Sequence, residues 1–211
     1  MPNNQIKSSW PLGKGAGVYI KDGALPTSLC RDIVAFFAER PHMTWPGMTS
    51  SGVISSVKTS IDSVVGEVNP NIKDEDEAAF LKAAEASLFS VFGEALFAYV
   101  SEYPVLMHSW TVRQDTGYQY QAYPKGEGFY VPHIDGSPFV QGEGKHRVLA
   151  SVMYLNTVTK GGGTHFSNFD YTCDAVEGRI LMFPSTFLHL HEGLVPLSVD
   201  KHIISTFVVS P

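Results

Sequence analysis

The chain has 211 residues, 44% hydrophobic and 17% charged, with 21 acidic against 15 basic side chains and a formal net charge of -6. That length suits one core and a single domain spanning 1–211. The composition is globular rather than disordered, and the acidic balance argues against a uniformly basic surface, so no nucleic-acid partner is expected. Cys30 and Cys173 lie far apart, which supports neither a disulfide framework nor a Cys-based zinc site and suits a reducing compartment. Met1 to Trp10 is polar and lacks the apolar core of a signal peptide, and no run approaches the ~18 apolar residues that span a bilayer. The expectation is a cytoplasmic protein with no membrane partner.

In chain order, Gly17 to Lys21 reads as a short strand. A helix starts at Leu25-Pro26-Thr27, since proline is favoured near a helix start; Leu29, Ile33, Phe36 and Phe37 then follow at helical spacing. Residues 40–72 read as irregular, and within them Lys58-Thr59-Ser60-Ile61-Asp62 reads as a strand edge and turn rather than a functional loop. The acidic run Asp74 to Glu77 favours a helix N-terminus. A long helix follows, with a stripe through Phe80, Leu81, Ala84, Leu88, Val91, Phe92, Ala95, Leu96 and Tyr99, and Pro104 stops it.

From residue 108 onward, short β-type runs alternate with Gly-rich turns: Trp110 to Gln114, Tyr118 to Tyr123, Arg147 to Leu155, Arg179 to Phe183 and Ile203 to Val209. Many short strands of this kind predict an antiparallel sandwich or barrel. The fold class expected is α+β, mainly β: a jelly roll (double-stranded β-helix) with N-terminal helices buttressing one sheet. The helical part covers about 1–104 and the jelly-roll core about 105–211.

The chemistry concentrates in Tyr130-Val131-Pro132-His133-Ile134-Asp135-Gly136. On a strand, residues i and i+2 share a face, so His133 and Asp135 would present an imidazole and a carboxylate side by side, with Gly136 letting the chain turn away. Such a pair is a weak signal alone. Downstream, the strand Gly178 to Pro184 leads into His189 and His191, either of which could bring back a third ligand. Two histidines and one carboxylate leave three coordination positions open, the donor set of non-haem Fe(II) sites that use O2. Lys201, ten residues after His191, could pair with the distal carboxylate of a dicarboxylate co-substrate through a charge-assisted bond.

These residues resemble the prolyl 4-hydroxylase-like branch of the 2-oxoglutarate/Fe(II)-dependent oxygenases. That family has His-x-Asp, then a distal His, then Lys or Arg nine or ten residues later. His133, Asp135, His191 and Lys201 match; counted from His189 the lysine falls at plus twelve and fits worse. Tyr123-Pro124-Lys125-Gly126-Glu127-Gly128-Phe129-Tyr130 is similar to the family's Tyr-Pro and Gly-rich approach, whose first Tyr hydrogen-bonds oxoglutarate. Tyr154-Leu155-Asn156 is similar to its Tyr-Leu-Asn strand end. Gly161-Gly162-Gly163-Thr164-His165-Phe166 is similar to its Gly-Gly-Glu-Thr-x-Phe turn, with Gly163 in place of the Glu. The match covers roughly 110–209.

The resemblance implies Fe(II) held by His133, Asp135 and His191. It implies 2-oxoglutarate as co-substrate, contacted by Lys201, Tyr123, Tyr154 and Thr164, with O2 as the second co-substrate and ascorbate as an accessory cofactor. The implied reaction hydroxylates a C–H bond, of a prolyl residue in a peptide or protein, and releases succinate and CO2. A free amino acid or other small molecule is the alternative substrate. Asp135 favours hydroxylation, because related halogenases lack that carboxylate. The rival classes are a cupin-like metal protein that does not use 2-oxoglutarate, a zinc hydrolase, and a non-catalytic module. Ser137 to Lys145 reads as a flexible lid. His146, His165, His189 and His202 read as structural or surface residues. Arg147 is either a substrate-entrance residue or an ordinary strand-start charge.

Overall fold

The computed structural model describes residues 8–49, 51–103, 106, 114–136 and 146–210. In order, the elements are β1 (Ser8–Ser9), β2 (Tyr19–Lys21), α1 (Thr27–Ala38), β3 (Trp45–Pro46), β4 (Lys58–Thr59), β5 (Ile61–Val65) and α2 (Glu75–Ser101). Then come β6 (Gln114–Asp115), β7 (Tyr118–Tyr123), β8 (Phe129–His133), β9 (His146–Tyr154), β10 (Thr164–Phe166), β11 (Tyr171–Cys173), β12 (Ile180–Pro184), β13 (His191–Gly193) and β14 (Lys201–Ser210). The larger sheet runs β1-β2-β12-β9-β14-β7-β5-β3, with β6 against β14, and the smaller runs β11-β10-β13-β8-β4. Neighbouring strands are antiparallel and mostly non-consecutive in sequence, which is the jelly-roll winding.

Alternation along the strands divides the interior in two. On β9, Leu149 and Met153 face the helices, while Ala150 and Tyr154 face the smaller sheet. The first layer is a core shared with both helices. α1 buries Cys30, Ile33, Phe36 and Phe37, and the Phe37 ring stacks on Tyr120 at 4.4 Å. α2 begins where the acidic run predicts: the Asp74 carboxylate accepts from the Glu77 backbone N–H at 2.9 Å, and Glu77 in turn accepts from the Lys73 N–H at 2.9 Å. By length and composition alone α2 could cross a bilayer, which counting apolar runs did not register. Here Leu81, Leu88, Phe92 and Tyr99 join the core against the larger sheet.

The N-terminal part supplies strands as well as helices. Residues 40–72, expected to be irregular, hold β3, β4 and β5, and β5 pairs β7 on one side and β3 on the other. The buried polar residues Asp62 and Ser63 interrupt the apolar alternation that would have marked β5. Of the run expected at Trp110 to Gln114, only Gln114 lies within the described residues, in β6. Pro104 and the expected lid, Ser137 to Lys145, lie outside the described residues.

Candidate metal centre and co-substrate cavity

The smaller sheet brings the separated histidines together. β8 and β13 pair so that His133 stands directly opposite His191, with ring centroids 4.3 Å apart. β8 ends at His133, so Asp135 sits in the bend just beyond the strand and not on it as the i, i+2 reading expected. Its carboxylate oxygens still lie 3.6 Å from His133 Nε2 and 3.4 Å from His191 Nε2. The bend packs closely: a Cβ on Gly136 would lie 1.8 Å from the Ser185 carbonyl oxygen, so only glycine fits without moving backbone.

The tautomers follow from the outer partners. His133 Nδ1 lies 2.8 Å from the Val131 carbonyl oxygen and His191 Nδ1 lies 2.9 Å from that of His189. A carbonyl only accepts, so each Nδ1 donates and each Nε2 keeps a lone pair. Burial, reinforced for His133 by the neighbouring His191, pushes both imidazoles down to about 4. Burial also raises Asp135 above the ordinary carboxylate range. Two neutral nitrogen lone pairs therefore converge beside the Asp135 carboxyl group. All three ligand atoms lie within 4.8 Å of one another, and among the described residues no other such group of His, Cys, Asp and Glu occurs. This donor set fits a divalent cation with open positions. Tyr130 stacks on His133 at 3.6 Å and Phe183 meets His191 edge-on at 4.7 Å, which fixes both rings.

One cavity connects the triad with Tyr123, Thr164 and Lys201, and Gln121, Ser205 and Phe207 also line it. Lys201 opens β14 opposite Tyr123 in register. Its Nζ lies 4.3 Å above the Tyr123 ring, and the side chain is buried at 2% exposure. Burial lowers its pKa to about 7; no anion pairs with it among the described residues. Tyr154 is fully buried behind Thr164, with its hydroxyl 2.7 Å from Thr164 Oγ1, so Thr164 lines the cavity and Tyr154 does not.

His189 holds the turn before β13, with Nε2 2.7 Å from the Ala16 carbonyl and Nδ1 2.9 Å from Thr186 Oγ1. His202 lies 2.8 Å from the Tyr120 hydroxyl and His165 3.0 Å from Thr172. A Cβ at Gly163 would meet Thr172 at 2.6 Å, so the turn is built around glycine here. Arg147 lies over the Phe207 ring at 3.8 Å. Sequence reasoning missed the cavity residues Gln121 and Ser205, whose only signal is a polar side chain at an inward position of a strand.

The family model described as the 2OG-Fe(II) oxygenase superfamily matches residues 118–209. No curated protein matches the sequence. Among solved structures, the viral collagen prolyl hydroxylase of Paramecium Bursaria Chlorella virus-1, in complex with 2OG, is similar at 15% identity and TM-score 0.66, covering 94% of this chain and 98% of that one. A Trichoplax adhaerens prolyl hydroxylase, bound to a hypoxia inducible factor peptide fragment, has 17% identity and TM-score 0.69 over 93% and 85% of the two chains. A Pseudomonas putida prolyl-4-hydroxylase has 16% identity and TM-score 0.63 over 92% and 94%. At these identities the likeness is one of fold. The matched segment, 118–209, carries His133, Asp135, His191 and Lys201, so this part of the chain is similar to the 2OG-Fe(II) oxygenase superfamily, a likeness that implies Fe(II) and 2-oxoglutarate as cofactor and co-substrate.

Proposed function

We propose that the protein hydroxylates a prolyl residue in a peptide or protein, with His133, Asp135 and His191 holding Fe(II) and Lys201 anchoring 2-oxoglutarate. The observation that carries this reading is the buried ammonium of Lys201, without an anionic partner among the described residues, sharing one cavity with the triad. A buried cation needs an anion, and a dicarboxylate with one end at the triad and the other at Lys201 supplies it. With Fe(II) bound, O2 would be the oxidant: two of its four electrons would come from oxidative decarboxylation of 2-oxoglutarate to succinate and CO2, and two from the C–H bond that is hydroxylated.

The chain's own residues do the rest. The carbonyl-anchored Nδ1 atoms hold each Nε2 toward the metal position. Thr164, backed by Tyr154, offers a hydroxyl inside the cavity. Tyr130, Phe166 and Phe183 wall the two histidines with aromatic rings. Arg147, beside the cavity ring Phe207, offers N–H donors to a peptide carbonyl. The prolyl substrate is favoured because the three neighbours above are all prolyl hydroxylases, one of them holding a peptide.

The test is an anaerobic titration with Fe(II) and 2-oxoglutarate, followed by the weak visible charge-transfer band of the chelate. A panel of peptides with and without proline is then scored for the mass of one added oxygen atom. The expected result is a chelate band and a mass gain confined to proline-containing peptides. A band with no peptide modified would reject the prolyl substrate, and no band would reject the oxygenase reading.

A further inference from the structure

A chain of hydrogen bonds runs along the cavity-facing side of β5 and β7 and ends at Tyr123. It starts at Asp62, which is fully buried and stands opposite Gln121 in register. The Asp62 carboxylate accepts from Lys58 Nζ at 2.6 Å, from Ser60 Oγ at 2.7 Å and from Gln119 Nε2 at 3.1 Å. Lys58 belongs to β4, so this pair also ties the smaller sheet to the larger. Gln121 Nε2 donates to Gln119 Oε1 at 3.0 Å and to Ser205 Oγ at 3.1 Å. The Tyr123 hydroxyl donates to Gln121 Oε1 at 2.7 Å.

The direction of this chain follows from its first member. A carboxylate only accepts, so Gln119 must turn its NH2 toward Asp62. Its carbonyl then faces Gln121, which must present NH2 in return, because a reversed Gln121 would set two carbonyl oxygens against each other. The Gln121 carbonyl is left for Tyr123. Tyr123 has one hydroxyl proton, and this arrangement commits it to Gln121. Toward the cavity its oxygen offers lone pairs only, and its ring face lies under the Lys201 ammonium.

We propose that Asp62, acting through Gln119 and Gln121, is a positioning residue that turns the Tyr123 proton away from the co-substrate. The far carboxylate of 2-oxoglutarate is then held by donors on Lys201 and Thr164. Tyr123 serves as an aromatic floor and acceptor for the ammonium, in contrast to the donor role that the resemblance implies for it. This inference rests on the oxygenase reading. It adds that the polarity of a buried amide chain, set from another strand, decides which groups can hold the co-substrate.

The test is a double-mutant cycle on 2-oxoglutarate affinity, read from the anaerobic Fe(II) chelate band and not from turnover. The variants are Tyr123→Phe, the paired change Lys58→Met/Asp62→Leu, and all three changes together. Asparagine would not serve at position 62, because the oxygen that accepts from Gln119 also accepts from the Lys58 ammonium and would remain an oxygen. Removing both charges takes away the acceptor that orients Gln119, so both glutamines are free to reverse and the Tyr123 proton is free to point into the cavity. The expected result is that Tyr123→Phe weakens binding at least about fivefold more in the Lys58→Met/Asp62→Leu background than in the wild type. Equal costs in the two backgrounds would overturn the proposal, since a merely structural Asp62 gives additive effects. If the paired variant does not fold, Gln121→Leu removes the acceptor and frees the same proton, and the same comparison decides. A wild-type protein with no chelate band would reject the oxygenase reading itself, whereas a normal wild-type band with additive variants rejects this inference alone.

Discussion

Replacing Lys201 with Met separates the cost of burying an ammonium from the benefit of binding a dicarboxylate. Lys201 is 2% exposed, and burial lowers its pKa from 10.5 to about 7. In the unfolded chain it regains its ordinary value. Between those two pH values the unfolded chain therefore binds more protons than the folded one, and the stability of the ligand-free protein rises with pH through that window. At neutral pH nearly the whole penalty is present; the interval sets it on the order of 4 kcal/mol, and relaxation around the site makes that an upper bound. Lys201→Met should then stabilise the ligand-free protein at neutral pH by roughly 2 to 4 kcal/mol, or several degrees in Tm for a chain of this length. The gain should fade as pH approaches about 10. With Fe(II) under anaerobic conditions, 2-oxoglutarate at a hundred times its Kd should stabilise the wild type by ~2.7 kcal/mol and the variant far less. Urea unfolding across this pH range, with and without 2-oxoglutarate, measures both effects. A variant less stable than wild type at neutral pH, or one equally stabilised by 2-oxoglutarate, would refute the reasoning.

Four further outcomes are expected. In metal-free protein His133 and His191 titrate at about 4 instead of 6.5. The unfolded chain therefore binds more protons between those values, and stability should rise with pH across that interval; a flat profile in urea unfolding would contradict the buried, neutral imidazoles. Asp135→Ala removes the only anion of the triad and should abolish both the chelate band and succinate formation, as measured by titration and product assay. Gly136→Ala forces a Cβ into the Ser185 carbonyl at 1.8 Å and should cost about 2 kcal/mol or more, with loss of metal affinity because the bend carrying Asp135 must move. Lys58→Met leaves the buried Asp62 without its ion-pair partner and should cost roughly 3 to 5 kcal/mol; the double variant Lys58→Met/Asp62→Leu should recover much of that in the same unfolding assay.

Strong local signals were legible in the sequence. The alternation of Tyr118 to Tyr123 marks β7 with both of its ends, and the acidic run at Asp74 marks the start of α2. His133, Asp135, His191 and Lys201 could be named together because their order and spacing resemble those of the oxygenase family, and the structure brings all four to one cavity. What the sequence could not supply was partnership across strands. Nothing local says that Lys58 on the smaller sheet meets Asp62 on the larger, that Gln121 accepts from Tyr123, or that Tyr154 stands behind Thr164 and outside the cavity. Period-2 alternation fixes which face of a strand a residue occupies, whereas the residue it meets depends on register and on closure of one sheet over the other. The candidate metal-binding set was thus legible through spacing that resembles a family pattern, while the direction of the hydrogen bonds behind it was decided only when the two sheets closed.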